Sequence, residues 1–297
     1  MNEVIKPSFR LGNVFDNCVN VKQSEELKLR LRSVRTDILG ENELLKAIGE
    51  VFTFYAIPRG DGIPPNVTQA EMEDLYSNCF SQSKKVREKY YDKIKLYAKD
   101  DICPYCGQRN VSTLDHYLPK SKYPKLVVNP LNLIPCCMEC NHIKREHHPT
   151  NNEEQVLNPY FDGVIDEIWL IAKVVKKKDK APIIKFKSVP SDKIQPNLSE
   201  RINWHFKKFK LANLYTSHAS RQLSGIAESL KREWEIGGER GLKMALHEHY
   251  ISWSKINKNS WQSAMFAALE NDPWFVQIGF SLCGELRPLA GLIVNDS

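Results

Sequence analysis

Two Cys-x-x-Cys pairs, Cys103-Pro-Tyr-Cys106 and Cys137-Met-Glu-Cys140, bracket thirty residues of this chain. Each pair is a knuckle able to place two thiolates on one metal ion, and four thiolates match the tetrahedral preference of Zn²⁺. Four protein ligands leave no open position, so such a zinc is structural and not catalytic. Cys136 could replace Cys137 in a wider C-x3-C pairing; the tighter turn is the commoner knuckle and favours Cys103, Cys106, Cys137 and Cys140 as the ligands. The spacing exceeds the roughly 15–20 residues of ordinary zinc ribbons. Something folded must therefore lie between the knuckles, pinned at its base by the metal. Five of the eight cysteines fall in this stretch, and in a reducing compartment that clustering points to metal over disulfides. Cys18, Cys79 and Cys283 stand alone and read as small buried hydrophobes.

Between the knuckles runs "LDHYLPKSKYP", with Asp115 beside His116, and then "LNLIP", with Asn132. The second knuckle continues into "CNHIK", which should open a helix with Asn141 on its first turn and Lys144 one turn on, on the same side. A carboxylate and a neutral amide oxygen form a sparse set of hard donors. Such a set suits Mg²⁺, which keeps several waters and takes phosphate oxygens for the rest. An imidazole, titrating near neutrality, suits removal of a proton from water. Adjacent residues of an extended strand point to opposite faces, so a twist or bulge is expected to let Asp115 and His116 address one small volume.

The order C-x2-C, D-H, N-L, C-x2-C-N-x-x-K resembles the HNH endonucleases in their zinc-stapled form. The resemblance covers about residues 103–144 and leaves the rest of the chain uncovered. It implies a ββα-metal fold, in which a hairpin and a helix clasp one catalytic divalent ion, Mg²⁺ or Mn²⁺, above the structural zinc. Carried across by position, His116 is implied as general base and Asp115 and Asn141 as ligands of the catalytic ion. Asn132 is implied as the asparagine that ties the loop and orients the histidine. Lys144 and Lys120 are implied as substrate contacts near the phosphate. Many relatives carry histidine where this chain has Asn141, and His142 is its neighbour, so either could be the ligand. The implied reaction is hydrolysis of phosphodiester bonds in double-stranded DNA. The longer pattern "DHYLPKSKYP…NPLNLIPCCMECN" is also similar to HNH proteins of bacterial anti-phage systems. These include the nuclease subunits of Septu-type and retron-associated systems, which work with an ATPase subunit. Two other readings use the same residues: a zinc-dependent nucleic-acid-binding module without catalysis, and an HNH nuclease acting on RNA, nicks or junctions.

The elements that must position these residues are mainly helical. The expected class is mainly α with a small α+β module: a helical region over 1–100, the zinc module over 101–150, and a hairpin followed by helices over 151–297. Met72, Leu75, Tyr76, Cys79 and Phe80 follow the spacing of a buried helix face, as do Val86, Tyr90, Ile94 and Tyr97. Leu44, Leu45, Ile48, Val51, Phe52 and Tyr55 suggest an earlier helix, and "IPRGDGIPPN" is a loop broken by glycine and proline. "EIWLIAKVV" and "PIIKFKSV", joined by "KKKDKA", could form a hairpin. A helix capped by Ser199 should follow, then faces marked by Leu223, Ile226, Leu230 and Trp234 and by Trp261, Ala264, Met265 and Ala268. The lysines of "KVVKKKDKAPIIKFK" and "HFKKFK" read either as a solvated turn or as a surface tracking phosphates.

Hydrophobic content of 42% and charged content of 26% are those of a globular protein, and the net charge of +6 leans toward polyanionic partners. No run approaches the roughly 18 apolar residues of a membrane span. "MNEVIKPSFRLGNVF" lacks the apolar stretch of a secretory signal, so a cytoplasmic location is expected. His147 and His148 are expected at an exposed helix end. His205, His218, His247 and His249 have no motif around them and receive no role.

Overall fold

A computed structural model of the chain describes residues 3–59 and 66–284; the centre of the "IPRGDGIPPN" loop lies outside the described residues. The protein is mainly helical, with two two-stranded antiparallel sheets. It divides into two compact units, Met1–Ile165 with Ile194–Phe209, and Asp166–Lys193 with Lys210–Ser297.

The first unit opens with α1 (Leu11–Asn20), α2 (Glu25–Ser33) and α3 (Arg35–Glu50). Ser24 caps α2, its hydroxyl accepting from the Leu27 N–H at 3.2 Å. Glu25 and Glu26 at its start and Arg30 and Arg32 at its end complement the helix dipole. α3 stops at Glu50, short of the Val51, Phe52 and Tyr55 that the spacing assigns to it. Phe52 turns left-handed at φ 57°, the Thr53 N–H reaches the Ile48 carbonyl at 3.1 Å, and the Phe52 N–H reaches Gly49. That pair of bonds closes a helix end. Val51, Phe52 and Tyr55 are consequently exposed.

α4 (Gln69–Asp74) starts at a Thr68–Glu71 capping box and widens into a π turn over Leu75–Phe80. α5 (Lys84–Val86) passes through a second π turn, Arg87–Tyr91, into α6 (Asp92–Lys95). Most of the faces expected from spacing are buried here: Met72, Leu75, Cys79 and Phe80 pack with Val86, Tyr90 and Ile94 in one cluster that also holds α1, and Tyr76 and Tyr97 pack against it half-buried. β1 (Thr113–His116) pairs antiparallel with β2 (Leu133–Cys136), and α7 (Met138–Lys144) follows at once, giving the ββα order. Leu114 and Leu133 join the same cluster, so the helices clamp one face of the hairpin.

α8 (Pro196–Lys208) closes the first unit and begins before the expected cap. Pro196 takes the first position, where its fixed φ suits the helix and its missing N–H costs nothing, so Ser199 lies inside the first turn.

In the second unit β3 (Leu170–Lys177) and β4 (Lys180–Ser188) form the expected hairpin, with Asp179 at φ 51° in its turn. α9 (Leu211–Ile256) breaks at Gly238, whose φ of 62° and ψ of −152° suit a residue without Cβ. α10 (Trp261–Glu270) and α11 (Pro273–Gln277) are capped by Ser260 and Asp272. Leu223 and Leu230 are buried on α9 and Trp261, Ala264 and Met265 on α10, whereas Trp234 is 40% exposed.

Candidate active site and metal centre

The sulfurs of Cys103, Cys106, Cys137 and Cys140 lie within 4.8 Å of one another, and all four residues are buried. Zinc–sulfur bonds of about 2.3 Å in a tetrahedron put sulfurs about 3.8 Å apart. The group could therefore hold a zinc ion. Cys137 is the N-cap of α7, its sulfur accepting from the Cys140 N–H, and the Cys106 sulfur accepts from the Arg109 N–H. Hydrogen bonds from neighbouring thiols, Cys103 first, hold Cys106 and Cys137 below the ordinary thiol value. Cys136 is buried as the last residue of β2 but stays outside the four.

The first knuckle reaches further than its sulfurs. Tyr105 is buried between Cys103 and Cys106, and its hydroxyl donates to Asp115 Oδ2 at 3.0 Å. Its ring stacks on Phe209 at 4.8 Å between centroids. Its carbonyl accepts from His205 Nε2 at 2.7 Å, while His205 Nδ1 accepts from the Leu157 N–H at 3.2 Å. These two bonds fix the tautomer of His205. Burial pushes its pKa down to about 4, so the ring is neutral. His205 thus ties α8 and the Leu157 segment to the knuckle.

Asp115, His116, Lys120, Asn141 and Arg145 line one cleft of about 340 Å³, together with Tyr76. The hairpin register runs unbroken through Asp115↔Ile134 and His116↔Leu133, so no bulge turns the two side chains together. They take different partners. The Asp115 carboxylate meets Tyr105 and the ammonium of Lys144, which lies 3.0 Å away. Burial pushes the pKa of Asp115 up, and Lys144 and Tyr105 oppose that shift. His116 Nε2 lies 2.8 Å from the Val127 carbonyl, and its ring meets Tyr76 edge-on at 4.3 Å. A carbonyl can only accept, so Nε2 carries the hydrogen and Nδ1 keeps the lone pair. Burial, with Lys120 and Lys144 nearby, holds the imidazole well below its usual pKa. It is neutral at physiological pH.

Asn132 is 1% exposed and grips the loop between the strands. Its Oδ1 accepts from the Leu118 N–H at 2.8 Å, and its amide donates to the carbonyls of Leu118 at 3.0 Å and Leu126 at 3.2 Å. The last of these adjoins Val127, the acceptor for His116. Asn141 lines the cleft, whereas His142 is exposed and bonded to Arg145 at 3.0 Å. Lys120 lies at the cleft, 3.2 Å from Ser77 Oγ and 3.7 Å from Glu73. Lys144, expected beside the phosphate, is 1% exposed and spends its ammonium on Asp115 and, at 2.6 Å, on the His116 carbonyl.

Over 89 residues the chain is 35% identical to the Septu protein PtuB of Bacillus thuringiensis, a match covering 28% of this chain and 34% of that protein. It is similar to a Septu protein. Over 190 residues it is 30% identical to protein ea31 of Escherichia phage lambda, covering 62% of this chain and 63% of that protein. The matches thus span less than two thirds of either relative. No protein-family model and no solved structure matches the chain.

Sequence reasoning passes over three residues that matter to this geometry. Arg145, at φ 49°, brings a second cation to the cleft; its one signal is its place directly after "CNHIK". Tyr105 and His205 carry no motif signal, because their partners are distant in sequence. His147 and His148 are not an exposed helix end. They are half-buried, His147 lying 2.9 Å from the Glu154 carbonyl and His148 lying 2.7 Å from the Lys122 ammonium. No helix among the described residues is long and apolar enough to cross a membrane.

Proposed function

We propose that the cleft hydrolyses phosphodiester bonds in double-stranded DNA, with His116 as general base. The observation that carries this reading is the bond from His116 Nε2 to the Val127 carbonyl, which leaves a neutral Nδ1 lone pair on a residue lining the same cleft as Asp115 and Asn141. His116 would take the proton from the attacking water. Asn132 would keep that ring aimed by fixing the loop that presents Val127. Asp115 and Asn141 would hold a Mg²⁺ or Mn²⁺ ion; a carboxylate offers about four lone-pair sites, and Tyr105 and Lys144 do not use them all. When bound, the ion would neutralise a non-bridging phosphate oxygen and the departing 3′-oxygen. Lys120 and Arg145 would meet the phosphate from the cleft wall. Lys144 would act through Asp115, as a positioning residue.

The Septu similarity supports a role in anti-phage defence, and the resemblance to Septu-type systems implies an ATPase subunit as partner. One observation favours a second reading, a non-catalytic zinc module binding nucleic acid: the buried Asp115–Lys144 pair gives the carboxylate a structural task without any ion. A plasmid cleavage assay separates the two. Wild type should cut with Mg²⁺ or Mn²⁺ and not in EDTA, and His116→Ala should lose on the order of 10²–10⁴-fold in rate while still binding DNA. Equal cutting by His116→Ala, or no cutting by wild type with either metal, refutes the catalytic reading.

A further inference from the structure

The hairpin of the second unit carries a charge pattern that its own stability does not ask for. Leu170, Ile184 and Phe186 are buried on one face, with Ala172 and Val174 half-buried beside them. The alternating residues on the other face include Lys173, Lys185 and Lys187, separated by Ile171, Val175 and Ile183. Lys173 is the register partner of Lys185, and nearer the turn Lys177 is the partner of Lys180. Like charges directly opposite across a ladder are unfavourable. Lys178 adds another at the turn, and Asp179 is the one acid from Lys173 to Lys187.

Lys173, Lys177, Lys178, Lys180, Lys185 and Lys187 make no ion pair with any described residue. Lys176 differs, since the strand irregularity at Val175/Lys177 accompanies a turn of its ammonium onto the Trp274 ring, 5.6 Å from the centroid. Surfaces that only need to stay soluble intersperse both signs. Here Lys173 and Lys185 oppose each other with Lys187 beside them, Lys177 opposes Lys180 beyond the register shift, and Asp179 in the turn is the one acid among them. From Lys187 to Lys180 the strand runs about 24 Å at roughly 3.4 Å per residue. That length matches about seven phosphates of one DNA strand at 3.4 Å of helix axis each. It is far longer than a single phosphate or nucleotide requires.

We propose that this hairpin face binds the phosphate backbone of double-stranded DNA. The proposal rests on the reading of DNA as substrate and adds a second contact surface to it. The lysines displace counterions from the backbone and read no base, so the face supplies affinity without sequence preference.

The test uses the full zinc-loaded chain, a labelled DNA duplex and fluorescence anisotropy with no added Mg²⁺ or Mn²⁺, titrated between 50 and 200 mM salt. A Lys173→Gln/Lys185→Gln/Lys187→Gln variant should lower the slope of log affinity against log salt by roughly 2–3, at about 0.9 per phosphate, and weaken binding at least about tenfold at 0.1 M salt. It should melt no lower than wild type, because it removes a like-charge pair. A Lys231→Gln/Lys243→Gln control on α9, whose lysines are ion-paired, should shift neither quantity as far. Unchanged slope and affinity in the triple variant overturn the proposal. So does wild type that ignores the duplex, or that prefers phosphatidylserine vesicles to it. Cleavage is read separately with Mg²⁺. A chain that binds through the hairpin and cuts nothing removes the nuclease reading alone, and a chain that cuts while its triple variant binds unchanged removes the hairpin alone.

Discussion

Replacing His205 by glutamine should remove most of one proton's worth of acid sensitivity from the first unit. His205 is 3% exposed and holds both ring nitrogens in bonds that require the neutral form: Nε2 donates to the Tyr105 carbonyl, and Nδ1 accepts from the Leu157 N–H. A proton on Nδ1 would face that N–H with no acceptor. Burial sets the folded pKa at about 4, against an unfolded value of about 6.5. The folded value is the lower one, so the full stability is present above pH ~6.5 and is lost as pH falls from there through about 4. With these two values the linkage amounts to about 2 kcal/mol at pH 5 and about 3 kcal/mol once complete. Urea unfolding at pH 7.5 and pH 5, with zinc in fixed excess, measures it. Wild type should lose about 2 kcal/mol more over that span than His205→Gln, which has no imidazole to protonate at that position. His116 is also held low by burial and pulls in the same direction, but it is present in both proteins and cancels in the difference. Parallel losses in the two proteins would show that the ring at position 205 does not carry the bonds assigned to it.

Lys144→Met should cost about 3–5 kcal/mol at neutral pH, because it strands a buried carboxylate, and urea unfolding of the variant against wild type checks it. Part of that loss should return on acidification, when Asp115 can take a proton. Cys140→Ala should lose its zinc and melt well below wild type, since structural zinc supplies folding energy; full zinc content with an unchanged melting temperature contradicts the assignment of that cysteine.

The parts of this protein that were legible in advance are those specified within a few residues of chain. The two knuckles converge because each C-x2-C turn presets two sulfurs. The faces built on Met72 and Val86 are buried because apolar residues three and four apart stay on one side even where the helices widen into π turns. Boundaries were less legible. α3 ends early because Phe52 accepts a left-handed backbone more often taken by glycine, and α8 starts early because proline suits a first turn better than serine needs a cap. The direction of Lys144 was least legible of all. Its spacing from Asn141 is correct for a shared helix side, but the buried charge of Asp115 draws the ammonium inward, and that pull is not written in helix periodicity.

The same buried carboxylate explains why the four-cysteine group cannot be treated as a detached brace. Tyr105 belongs to the first Cys-x-x-Cys turn, and its hydroxyl ends on Asp115, while its carbonyl is held by His205. Lys144 belongs to the helix opened by the second knuckle, and its ammonium ends on Asp115 and on the backbone of His116. Each sulfur pair therefore delivers one hydrogen-bond donor to the same carboxylate, and the second delivers another to the residue beside it. The thirty residues between the pairs are long enough for two strands and a loop, and Asn132 fixes that loop where Val127 meets His116. A shift in either knuckle must move a donor on Asp115. In this geometry the four-cysteine base and the proposed catalytic cleft form one hydrogen-bonded body.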